Sequence, residues 1–194
     1  WGMTLAVCRS VRTPALFPLR LFAAAYTDIF RGIPVILTIL LVGFGVPGLG
    51  LGRPWNSPYL WGSVALVLAY SSYVAEVFRA GIESVHESQR AGARSLGLSS
   101  GQTLRFVILP QAVRRVIPPL MNDFVSLQKD VALISLIGPI EILRQAGIDK
   151  SKFANFTPYV GAAIIFLLLT IPETRFVDHL MTRERRRTSG TAVR

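Results

Sequence analysis

Apolar runs separated by basic, polar or glycine- and proline-rich segments recur along this chain. Residues 2–7 read as the tail of a truncated first membrane span, because the run is too short to cross a hydrocarbon core of roughly 30 Å. Residues 21–30 are helix-prone and are interrupted by Arg31-Gly32-Ile33-Pro34, since proline supplies no amide donor and disfavours helix in the residue before it. A second span is expected over residues 33–46, kinked at Pro34, and a third over 59–79. A fourth, unusually polar, covers 118–137, and a last begins at 159–171 and extends toward Leu180. Between them lie a glycine- and proline-rich loop at 47–58, a long basic segment at 80–115 and a loop of nearly balanced charge at 138–157. The elements predicted are helices alone, so the chain reads as an all-α membrane protein of about five spans.

Charge gives those spans a direction. The 194 residues are 51% hydrophobic and carry a formal net charge of +10. Arg9, Arg12 and Arg20 follow the first run; arginines 90, 94, 105, 114 and 115 fall in the long segment; arginines 183, 185, 186 and 187 close the last span. When the spans alternate, every one of these clusters lies on one side, as the positive-inside rule requires. Residues 80–115 and a basic tail at 183–194, expected to be disordered, are therefore cytoplasmic. The loops at 47–58, with only Arg53, and at 138–157 are external. A basic chain can also bind nucleic acid, but no basic-aromatic recognition module is present. One cysteine, Cys8, excludes an internal disulfide and offers no zinc cluster. The chain begins at Trp1 rather than methionine, so an N-terminal piece completing the first span is expected to precede it.

Within the long segment, residues 89–110 (QRAGARSLGLSSGQTLRFVILP) predict two short helices joined by a turn. Gly97 ends the first, because glycine tolerates the left-handed conformation common at helix C-termini. Ser99 and Gln102 have capping-box spacing and open the second. That helix carries Leu104, Val107 and Ile108 and is expected to end near Pro110, about 15 Å long at roughly 1.5 Å per residue. A compact basic elbow with an apolar stripe suits docking into a groove on a soluble partner. The plainer alternative is an amphipathic turn lying on the membrane surface.

The same residues resemble the cytoplasmic loop of permease subunits of ABC-type importers, EAA, three residues, G, nine residues, I-x-L-P. Ala91, Gly92 and Ala93 stand at the EAA positions, Gly97 at the glycine, and Val107, Leu109 and Pro110 at the end; Ala91 replaces the glutamate and Val107 the isoleucine. Arg31-Gly32-Ile33-Pro34 is similar to the RGTP of amino-acid importer permeases. Tyr73-Val74-Ala75-Glu76 with Arg79-Ala80-Gly81-Ile82 is similar to their AYxAE…RGGI. Asn122, Lys129-Asp130 and Leu133-Ile134-Ser135-Leu136-Ile137-Gly138 resemble their N…KDTSLxSxIG, with Val131 and Ala132 in place of Thr-Ser and Glu141 following.

The resemblance implies a type I ABC importer transmembrane domain over residues 1–182, in the bacterial inner membrane. It also implies a coupling helix, here Ala91, Gly92, Ala93, Gly97, Leu98, Ser99, Arg105, Leu109 and Pro110, seated on an ATPase. The partners it implies are two ABC ATPase subunits that hold ATP and Mg, a second permease copy or a related permease, membrane lipid and an external substrate-binding protein. The function it implies is import of polar amino acids; an ATP-independent carrier or channel is the alternative.

The residues also mark candidate polar groups inside the membrane, where an ionisable side chain costs roughly 3 kcal/mol at the centre of a span. Asn122, Asp123, Ser126, Lys129 and Asp130 fall within an arc of about 120° on one helix. They either line a translocation path or hold helices together. Glu76 and Arg79 stand three apart, as a local salt bridge requires, while Glu76 in the pathway or its gate is the other reading. His86 and His179 lack metal-spacing partners. No phosphate-binding loop and no nucleophile-base set is present, so the chain is read as no enzyme, with no cofactor of its own.

Overall fold

The computed structural model describes residues 1–10, 14–50, 52 and 54–190, and these are helical with no strand among them. Arg12 and Arg53, two of the topology markers, and residues 191–194 lie outside the described residues. The α-helices are α1 (Gly2–Ser10), α2 (Phe17–Gly32), α3 (Val35–Gly45), α4 (Pro58–Glu83), α5 (Glu87–Ser95), α6 (Ser100–Thr103), α7 (Leu109–Asp130), α8 (Ile142–Phe153) and α9 (Thr157–Gly190).

Three expectations change. The second span does not form as one crossing helix: α3 has 11 residues, about 16 Å of helix, half the thickness of a bilayer core. Its break from α2 sits at Ile33-Pro34, where Pro34 is extended and its carbonyl instead caps α3 by accepting the Leu37 and Thr38 amides at 2.9 and 3.2 Å. The loop at 138–157 contains α8, which starts because the Glu141 carboxylate accepts the Leu143 and Arg144 amides at 2.7 and 2.6 Å. The tail expected to be disordered from residue 183 is helical through Gly190, as the last turns of α9.

Two helices are long and apolar enough to cross a membrane, Pro58–Glu83 and Thr157–Thr182, and up to four crossings result when helices adjoining across short breaks are counted together. The chain divides into two compact units, residues 1–32 with 70–123, and residues 33–69 with 124–194. In the first, Tyr26 of α2 bonds Ser71 of α4 through their hydroxyls at 2.7 Å, beside buried Thr27, Ser72 and Ala75. In the second, α3 packs on the 3-10 turn Val131–Ile137 that follows α7. Gly43 permits this, because a Cβ there would lie 2.9 Å from Ile137 Cγ2.

Candidate coupling elbow and intramembrane polar groups

The elbow lies in the first unit and is built by local hydrogen bonds. His86 opens α5 by accepting the Ser88 amide at Nδ1, 3.2 Å away. The helix closes at Gly97 with φ +83°, the Leu98 amide reaching back to the Ala93 carbonyl at 3.2 Å. Both halves of the capping box are present: Gln102 N–H donates to Ser99 Oγ at 3.3 Å, and Ser99 N–H to Gln102 Oε1 at 2.9 Å.

Past the box, one expectation fails. The helix does not stop at Pro110 but passes through a π turn, Leu104–Ile108, into α7. Leu109 N–H bonds the Leu104 carbonyl, five residues back. This wider turn accommodates the missing Pro110 donor, as π-bulges do where a ladder must skip a bond. The Gln111 side-chain amide donates to the Val107 carbonyl at 2.9 Å and so serves a group beside the gap.

Ala91, Gly92, Ser99, Leu109 and Pro110 are exposed, Leu98 is half-buried and Ala93 is buried. Arg105 is exposed, its guanidinium 5.7 Å from the centre of the Phe106 ring. At the tip, Leu96 is 83% exposed, an apolar side chain presented outward beside basic Arg94. The elbow's base is fastened to its neighbours. Arg90 donates to the Ile82 carbonyl at 3.1 Å, and Arg115 to both the carbonyl and, at 3.0 Å, the hydroxyl of Ser84. Val85, Ile108 and Ala112 form a buried cluster with Ile82 packed against it. The elbow is therefore tied to the end of α4 and the start of α7 through side chains in contact.

Glu76 meets more than the one arginine its spacing predicted. Its carboxylate bonds Arg79 and also takes Arg9 at 3.2 Å and Arg31 at 3.3 Å, while Arg79 bonds Glu83 as well. One carboxylate thus ties α1, α2 and α4 together. Arg9 was legible only as a basic residue following the first apolar run, and Arg31 only as part of the Arg31-Gly32-Ile33-Pro34 break.

α7 is helical through Asp130, so the polar periodicity of its second half holds. Asn122 is exposed and Asp123 is half-buried, its Oδ2 buried with no hydrogen-bond partner among the described residues. Ser126 and Asp130 are half-buried, and Lys129 is exposed. Sequence reasoning missed the neighbouring contact. Gln128 Nε2 donates at 2.8 Å to Glu173 Oε1, whose second oxygen is buried and has no such partner among the described residues. Glu173 sits two residues beyond the apolar run ending at Ile171, which hid it in the sequence.

Residues 4–186 match the family of binding-protein-dependent transport system inner membrane components, and the chain belongs to it. It is 35% identical over 183 residues to the probable glutamine ABC transporter permease protein GlnM of Bacillus subtilis, covering 94% of this chain and 82% of that one. With the arginine transport system permease protein ArtQ of the same organism it shares 32% identity over 173 residues, 88% and 76% of the two chains. A crystal structure of an amino acid ABC transporter with histidines superposes with a TM-score of 0.85 at 33% identity, covering 94% of this chain and 83% of that one. The methionine ABC transporter MetNI in inward-facing form has the same fold, with a TM-score of 0.71 at 18% identity, over 92% and 85% of the chains. The chain is therefore a membrane-embedded permease of an ABC transporter, not an ATP-independent carrier or channel, and such a subunit works with ATPase partners and a solute-binding protein.

Proposed function

We propose that this permease imports polar amino acids across the bacterial inner membrane, paired with a second permease and driven by two ATPase subunits that hold ATP and Mg. In this reading residues 1–182 form the permease domain, the elbow and the basic segment from residue 183 face the cytoplasm, and the chain carries no ATPase site of its own. The names of the glutamine and arginine relatives support the substrate class.

The observation that carries the mechanism is the fastening of the elbow. When the ATPases close on ATP, the outward-facing Leu96 and the small residues Ala91 and Gly92 take the load in their cleft. Arg90, Arg115 and the Val85–Ile108–Ala112 cluster pass it to α4 and α7. The polar groups Glu76, Asn122, Asp123, Ser126, Lys129 and Asp130, with Gln128 and Glu173 added, offer hydrogen bonds to a zwitterion along the path or hold its walls. Linkage makes the coupling reciprocal, so substrate outside raises ATP turnover inside.

The test is ATPase activity of the permease reconstituted with its ATPase and binding protein, against a panel of acidic, basic and neutral amino acids. Stimulation by one class is expected and names the substrate. Absence of stimulation by any of them, in a complex that assembles, would overturn the amino-acid reading.

A further inference from the structure

Along the second half of α9, Thr170, Thr174, Asp178 and Thr182 recur at every fourth position, with Ile171 and Arg175 beside them. At about 100° per residue these six lie within an arc of about 140°. Five are exposed and Thr170 is half-buried. Thr170, Ile171, Thr174, Arg175 and Asp178 line a recess of about 440 Å³. Ala162 and Val177, which are buried, and Glu173 lie outside this arc. Within a single chain only 11% of the apolar window of this span is covered.

The chemistry of the stripe is that of a helix contact rather than a lipid face. Each threonine hydroxyl donates to the carbonyl four residues back: Thr170 to Phe166, Thr174 to Thr170 and Thr182 to Asp178, all at 2.8 Å. The hydroxyls are thereby satisfied within the helix. What they leave outward is a low ridge at four-residue spacing, the profile that lets two membrane helices approach closely. Arg175 and Asp178 have no ion-pair partner among the described residues. Unpaired charges on an exposed flank of a span are costly in lipid.

The two charges are complementary to a copy of themselves. Two copies inserted in the same orientation are related by an axis along the membrane normal, so their α9 helices run parallel and one patch meets the same patch. Arg175 of one then stands about 4.5 Å along the axis from Asp178 of the other, within reach of an arginine side chain.

We propose that the Thr170–Thr174–Asp178 ridge of α9, with Arg175, is the contact surface for a second copy of this chain, each copy giving one Arg175–Asp178 ion pair across a two-fold axis. This rests on the paired-permease reading above and specifies which face and which partner that reading requires.

The experiment uses two differently tagged copies expressed together with the ATPase and binding protein, on a Cys8→Ser background. Under mild oxidation in membranes, Thr174→Cys gives a disulfide-linked pair carrying both tags. Ile165→Cys, on the far side of α9, gives none. Arg175→Asp lowers co-purification of the two tags at least tenfold, and Arg175→Asp with Asp178→Arg restores it. If the tags co-purify but Thr174→Cys does not link them, or Ile165→Cys links them equally, the face is wrong and the pairing stands. If the tags do not co-purify and Thr174→Cys links instead to a chain of different sequence, the second-copy partner is overturned together with the homodimer.

Discussion

Glu76 shows how one residue can carry an arrangement that its neighbours in sequence do not reveal. Its predicted partner, Arg79, lies one helical turn away; Arg9 is 67 residues distant and Arg31 comes from a different helix. Glu76→Gln would leave three guanidinium groups facing a neutral amide, with charge-assisted bonds replaced by weaker ones. The expected loss is about 2 kcal/mol, a fall in Tm of about 5 °C in detergent for a chain of this size. Adding Arg31→Gln should recover part of it, because one repelling charge is removed. A Glu76→Gln protein as stable as its parent would show that the network contributes nothing. At this scale legibility follows sequence distance. The capping box of Ser99 and Gln102 and the positive φ of Gly97 were readable because each depends on residues within a turn. The Gln128–Glu173 bond joins residues 45 apart, and no local spacing announces it.

Among the elements, helix identity was easier to read than helix ends. Apolar periodicity located α4 and the first half of α9. Proline was read correctly once and misread once. At Pro34 it separates two helices, one of them too short to cross alone; at Pro110, expected to end a helix, it is absorbed by the π turn. The difference lies in whether the preceding ladder can widen, which residue type does not encode. α8 was missed because its start depends on the Glu141 carboxylate folding back onto two amides, a cap with no apolar run behind it. Where α4 and α7 meet in the first unit, Gly81 lies against Val116 so closely that a Cβ would overlap the Val116 side chain. Gly81→Ala should therefore cost about 1–3 kcal/mol by overpacking, and Val116→Ala in the same chain should restore most of it. Thermal unfolding of the single and double variants checks this; equal losses in both would mean that the contact is not the cause.

For the whole molecule, the all-helical membrane class followed from apolar runs and one-sided arginines. The family followed from several ordered motifs spread over nearly the full chain, and both hold. The pairing of the polar groups did not follow, because it is decided by which helices pack together. The prediction belonging to this scale is uncoupling. Gly97→Val forces a β-branched residue toward positive φ, which costs roughly 1–2 kcal/mol and, on the proposed reading, turns the elbow away from the ATPase cleft. ATP hydrolysis by the complex should continue while stimulation by substrate and binding protein falls toward basal. Stimulation at the parent level would remove the elbow from the coupling route.

The elbow's fastenings have a bearing on the order in which the protein is made. Its ties are short in sequence, 8 residues from Arg90 to Ile82 and 31 from Arg115 to Ser84, and contacts of short separation form early. Once a ribosome has passed residue 115 and released that stretch from its tunnel, every group that secures the elbow exists, whereas α9 has not been synthesised. On the reading proposed above, the chain thus completes the part that receives the stroke before its last span has entered the bilayer.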